Sequence, residues 1–209
     1  LPENTVRFGV STVWHEFNPG HVQGTGESTV FKELKLPLAH ALESAIYASH
    51  EAQFLGRFNL KYGLRLSMFQ NVGKSTVYQY DNNYELADSA VYGSGDFYKT
   101  FFRLEPRIAL TYSLDENSSI KTSYSRTSQY LQLAQNSTAG TPLDVWFSSS
   151  PNVKPQMADQ IALGYFRNFA SSEYEFSAEA YYKWMSNTLD FKDNADIFFN
   201  KYLESELRT

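Results

Sequence analysis

Asn59-Leu60-Lys61-Tyr62-Gly63-Leu64-Arg65-Leu66-Ser67-Met68 alternates without a break. Leu60, Tyr62, Leu64, Leu66 and Met68 fall on one side, and Asn59, Lys61, Gly63, Arg65 and Ser67 on the other. Successive side chains of an extended strand point to opposite faces, so this spacing predicts a strand with one apolar and one polar face. The same pattern recurs over residues 102–114. There Phe102, Leu104, Pro106, Ile108, Leu110, Tyr112 and Leu114 oppose Arg103, Glu105, Arg107, Ala109, Thr111 and Ser113. It recurs again over residues 174–184, with Tyr174, Phe176, Ala178, Ala180, Tyr182 and Trp184 on one face and Glu175, Ser177, Glu179, Tyr181 and Lys183 on the other. Noisier alternation marks residues 6–14, 42–51, 120–130 and 160–169, which brings the predicted strands to about seven.

Strand length separates two architectures. Strands in soluble domains average about 5–6 residues, whereas a tilted strand crossing a bilayer needs about 9–11. Several of these segments reach ten or more. The links agree. Residues 53–57, 115–118 and 170–173 are short links, residues 15–41, 70–101 and 131–159 are long ones, and the two kinds alternate strictly. In an up-and-down arrangement every second link lies on the same side. Short periplasmic turns opposite long extracellular loops are the habit of outer-membrane barrels, while several loops beyond about 12–15 residues are uncommon in a compact soluble domain. The predicted fold is therefore all-β, an antiparallel up-and-down transmembrane β-barrel fragment. The charged faces would also suit the wet side of a soluble β-sandwich, such as a carbohydrate-binding module. Alternation alone leaves both open, and loop order and strand length favour the barrel.

Composition narrows the function. Fifteen Tyr, 16 Phe and 3 Trp sit in a chain of mean hydropathy -0.43. Apolar-out, polar-in strands cancel in any averaged hydropathy, and aromatics gather at membrane interfaces. No run of about 18 apolar residues occurs, so no transmembrane helix is expected. The net charge of -5 and the lack of a basic stripe argue against a nucleic-acid partner. The absence of Cys removes disulfides, thiolate zinc sites and a Cys nucleophile. The chain starts at Leu1 with no signal-peptide pattern, which is read as a piece trimmed from a longer protein.

Motifs for chemistry are weak. Gly73-Lys74-Ser75 ends like a phosphate-binding loop, but the first glycine of that motif would fall at Met68. His15, His21, His40 and His50 show no paired spacing for zinc. The acidic Asp190, Asp193, Asn194 and Asp196 lack the Gly and distal Glu of a calcium loop. Glu175 and Glu179 share a strand face, as a glycosidase pair could, but no further motif supports that chemistry. No enzyme activity and no cofactor are expected.

Leu104-Glu105-Pro106-Arg107, Leu110-Thr111-Tyr112 and Ser123-Tyr124-Ser125-Arg126-Thr127-Ser128-Gln129-Tyr130 together resemble the barrel of TonB-dependent outer-membrane receptors, of Bacteroidetes type. So do Val153-Lys154-Pro155-Gln156, Asp159-Gln160, Leu163-Gly164-Tyr165-Phe166 and Glu179-Ala180-Tyr181-Tyr182-Lys183 with Asn187. The resemblance implies a barrel of twenty-two strands filled by an N-terminal plug. Plug, TonB-contacting segment and C-terminal aromatic strand find no match here, so residues 1–209 are expected to be a central third of the barrel. It further implies location in the outer membrane, contact with its lipid, import of a scarce nutrient of the siderophore, glycan or peptide class, energy from the TonB complex through the missing plug, and a surface lipoprotein as a further candidate partner. Another outer-membrane porin or adhesion barrel is the nearest alternative. Candidate ligand-binding residues are Arg65, Arg103 and Arg107 on the polar face and Gln129, Gln132, Asp144 and Trp146 at and within the third long loop. Amides and an aromatic platform suit a polar organic ligand better than a bare metal ion.

Overall fold

The computed structural model describes residues 4–18, 21–22, 34–35, 38–81, 83–134, 145–169, 173–192, 195 and 202–208. Seven long strands form one antiparallel sheet in which sequence neighbours are spatial neighbours: β1 (Asn4–Phe17), β2 (Ala39–Phe54), β3 (Phe58–Val72), β4 (Phe97–Ser113), β5 (Ser118–Gln129), β6 (Gln156–Phe169) and β7 (Tyr174–Ser186). They run 12 to 17 residues. At about 3.3 Å per residue and the usual tilt of about 35–45°, that is enough to cross a bilayer. The alternating segments thus lie inside longer strands. Among the described residues the outer edges of β1 and β7 carry no further strand, so the sheet is open.

Register turns the alternation into two faces. One row crosses all seven strands as Val6, His50, Tyr62, Ile108, Tyr124, Ile161 and Tyr182. The adjacent row on the other face reads Arg7, Ser49, Gly63, Arg107, Ser125, Gln160 and Lys183. Charged side chains on the apolar face are confined to strand ends. Glu16, Arg126, Asp159 and Arg167 each lie within three residues of a terminus of their strand. Between these ends the apolar face is uncharged and bare: Phe8, Val10, Ile46, Leu64, Leu104 and Leu163 are all exposed. A patch of this extent is far beyond the few hundred Å² found on soluble monomers. A sandwich would need a second sheet over it, and among the described residues none is present. Rings flank the band, with Phe54, Phe58 and Tyr112 stacked in a row at the short-turn end and Trp14 and Trp184 near the other.

The short links are local in cause. Between β2 and β3, Leu55 and Gly56 both take positive φ (52° and 63°), which only glycine adopts without strain. Between β4 and β5, Asp115 accepts from Asn117 N–H (2.8 Å) and the Ser118 hydroxyl (2.7 Å). These bonds hold its carboxyl below the usual carboxylate range. Residues 170–172, in the third short link, lie outside the described residues. The long links contain structure of their own. Ser75–Tyr80 pairs with Leu86–Tyr92 as a hairpin, and Leu131–Ala134 pairs with Val145–Ser148.

Candidate functional site

The polar face is organised by cross-strand charge. Toward the short turns, Glu51 lies 3.8 Å from both Arg7 and Lys61. Such exposed pairs contribute little, about 0–1 kcal/mol each. In mid-wall, register sets Arg65 between Tyr47 and Glu105. Its guanidinium comes within 3.9 Å of Glu43 and 4.0 Å of Glu105, while Arg107 reaches the same Glu105 oxygen, Oε2, at 4.0 Å. The Glu105 side chain is buried, and its second oxygen accepts from the Ser67 hydroxyl at 2.7 Å. With its one proton committed there, Ser67 Oγ can only accept from the Tyr130 hydroxyl, 2.7 Å away.

Tyr130 follows β5 and leans over β4 to reach β3. Its ring stacks on Phe69 with centroids 4.9 Å apart and planes 7° apart. Ala41, Phe69, Phe101 and Tyr130 form a buried cluster on the polar face, extended by Phe17 and Leu131. The third long link is thereby rooted in the wall. Ser149 donates to Tyr130 O through its N–H (2.7 Å) and hydroxyl (3.1 Å), and Asn71 Nδ2 donates to Ser149 O at 2.9 Å.

The predicted ligand residues separate into two places. Arg65 and Arg107 converge on Glu105. Arg103 lies on the same face and donates from Nη1 to the carbonyl of Phe102 (3.0 Å). At the long-loop end, Gln129 donates to Leu131 O (2.6 Å), and buried Gln132 donates to Lys154 O (3.2 Å). Both bonds fix the base of the loop. Trp146, on the 145–148 strand opposite Leu133, is exposed. Asp144 lies outside the described residues, as do Asp193, Asn194 and Asp196. Among the described residues no group of three or more His, Asp or Glu could hold a metal. Gly73 and Lys74 form a bend before the 75–80 strand, with no helix after them.

Sequence reasoning did not single out Glu43, Ser67, Asn71 or Tyr130. It also missed a junction among the long links. Asn152 Nδ2 donates to Tyr78 O (2.9 Å) and to Glu204 (2.6 Å), joining the 75–92 hairpin to the 3-10 turn Leu203–Glu206. Tyr78 and Tyr202 meet edge-on at 4.8 Å. Burial in this junction pushes the Glu204 carboxyl up, and burial followed by the nearby Glu204 charge pushes the Tyr80 hydroxyl up.

A sheet of bilayer-spanning strands with an uncharged band on one face, charges on the other and unequal links at its two ends is the wall of a transmembrane β-barrel. The family model described as TonB dependent receptor-like, beta-barrel matches residues 8–204. The chain belongs to that family, whose barrels lie in the outer membrane. No curated protein matches the chain. Among solved structures, it resembles the FrpB iron transporter from Neisseria meningitidis. The F5-1 variant apoprotein matches with TM-score 0.56 at 13% identity, covering 92% of this chain and 28% of that one. The F3-3 variant matches with TM-score 0.51 at 14% identity, covering 78% and 21%. A double mutant of the Serratia marcescens hemophore receptor HasR, in complex with hemophore HasA and heme, gives TM-score 0.48 at 12% identity, covering 91% and 35%. The chain therefore spans roughly a fifth to a third of the length of these proteins.

Proposed function

We propose that residues 1–209 are a wall segment of an outer-membrane receptor that imports a scarce nutrient and catalyses no reaction. TonB would supply the energy through a plug seated against the polar face. The observation that carries this reading is the asymmetry of the wall. One face suits lipid, the other is charged, and at one end the third long link is held to the charged face by Tyr130 and Asn71. A loop anchored over a polar lumen is a place to capture a ligand, since loops vary at little cost while the scaffold positions them. Gln129, Asp144 and Trp146 supply an amide, a carboxylate and an aromatic surface, a mixture suited to a siderophore, glycan or peptide. The sequence motifs noted above favour a Bacteroidetes-type receptor, and a surface lipoprotein at the loop end belongs to this reading.

Deleting residues 136–144 in the full-length receptor tests it. Residues 145–150 stay, because Ser149 anchors the loop to Tyr130 and Asn71. With surface display verified by antibody, growth on the nutrient should fall sharply. Unchanged uptake at normal display would show that this loop does not carry recognition.

A further inference from the structure

Arginines on the two faces are held differently. On the apolar face, Arg126 closes a two-point bond on Asp159 at 2.8 and 3.2 Å. On the polar face, Arg65 and Arg107 approach carboxylates no closer than 3.9 Å. Those carboxylates take their hydrogen bonds elsewhere, Glu105 from Ser67 and Glu43 through His15 Nε2 at 3.1 Å. Among the described residues neither guanidinium donates a hydrogen bond, so both are drawn into place by charge with their N–H groups uncommitted.

We propose that Arg65 and Arg107 form an oxyanion seat on the inner wall, which takes a carboxylate or phosphate group of the imported molecule. The inference rests on the import reading and names the chemistry of the cargo. Both guanidinium groups face one point, the Oε2 atom of Glu105. A planar fork of N–H donors matches carboxylate and phosphate geometry. Gly63 and Ser125, the cross-strand neighbours of Arg107, are small and leave space over it. Basic side chains outnumber acidic ones on this face, although the whole chain carries -5. A local surplus of positive charge on the wall of an enclosed lumen raises the concentration of anions there. Glu105 is a positioning residue: hydrogen-bonded and buried, it holds the two arginines without consuming their donors. Arg103 lies outside the seat, because it donates to its own strand.

The test uses full-length receptor in detergent, with arginine modification by phenylglyoxal followed by peptide mass spectrometry. Glutarate and inorganic phosphate serve as probes, and chloride at equal ionic strength controls for screening. Arg65 and Arg107 should react several-fold more slowly with either probe than with chloride, while Arg7 and Arg208 stay unchanged. In R65Q and R107Q, calorimetric affinity for the protecting ion should fall at least about tenfold, as expected for loss of a charged hydrogen bond. Rates at Arg65 and Arg107 that ignore both probes would overturn the proposal. It would equally fail if both were unreactive before any probe is added, which would mean that another part of the receptor already covers them. Neither failure touches the import reading, which the growth assay judges separately.

Discussion

Phe69→Ala should lower the stability of the full-length receptor by about 3–5 kcal/mol, the usual cost of removing a buried phenyl ring. Phe69 is 0% exposed, lies under Tyr130 and beside Phe101 and Ala41, and sits on the face that is otherwise polar. No lipid can fill the hole it would leave. Its loss also removes the surface against which Tyr130 is stacked, and with it the geometry of the Ser67 hydrogen bond that ties the third loop to Glu105. Urea unfolding of receptor refolded into phospholipid vesicles measures the effect. Phe8→Ala is the control. Phe8 is 80% exposed on the apolar face, where lipid chains replace the missing ring, so its cost should be much smaller. Equal losses at the two positions would mean that the cluster on the polar face is not packed.

Leu64→Arg comes next in size. Leu64 lies in the middle of β3, between Ala48 and Pro106, in the uncharged band. An arginine facing lipid near the midplane of a barrel wall costs about 2–4 kcal/mol. Ser123→Arg, on the polar face between Ala109 and Ala162, puts the same side chain on the lumen side and should shift stability by no more than about 0.5 kcal/mol, as surface changes usually do. The same unfolding assay compares them, and a Ser123→Arg loss as large as that of Leu64→Arg would remove the distinction between the faces.

The two faces were legible because alternation is a property of the backbone: Leu60 to Met68 needed only period two to be placed together. Leu60, Leu64, Leu66, Ile108, Leu110, Phe176 and Tyr182, expected on one face from spacing alone, share a face in the observed register. The order of links was legible for the same reason. What alternation concealed was the long-loop end of the wall. Phe69 follows Met68 and so breaks the pattern, which made β3 look finished four residues before its end at Val72. The doublet is the signature of a strand whose polar face turns apolar where another segment packs on it. That segment, Tyr130 with Ser149 beside it, is far away in sequence, and no local period reveals such a contact. The same limit applies to Asn152 and Glu204, which are 52 residues apart and meet only through folded loops. The arginine seat was half visible. Spacing placed Arg65 and Arg107 on polar faces, but only the register brings both onto Glu105.

Single cysteines placed at positions 64, 110 and 163 and at positions 123 and 125 of the full-length receptor in bilayers show which face of the wall meets lipid. Each is labelled with a nitroxide, and its accessibility to oxygen, which partitions into lipid, is compared with that to a water-soluble nickel complex. Positions 64, 110 and 163 should favour oxygen, and positions 123 and 125 should not. The reverse pattern, or no difference between the two sets, would contradict the assignment of the faces.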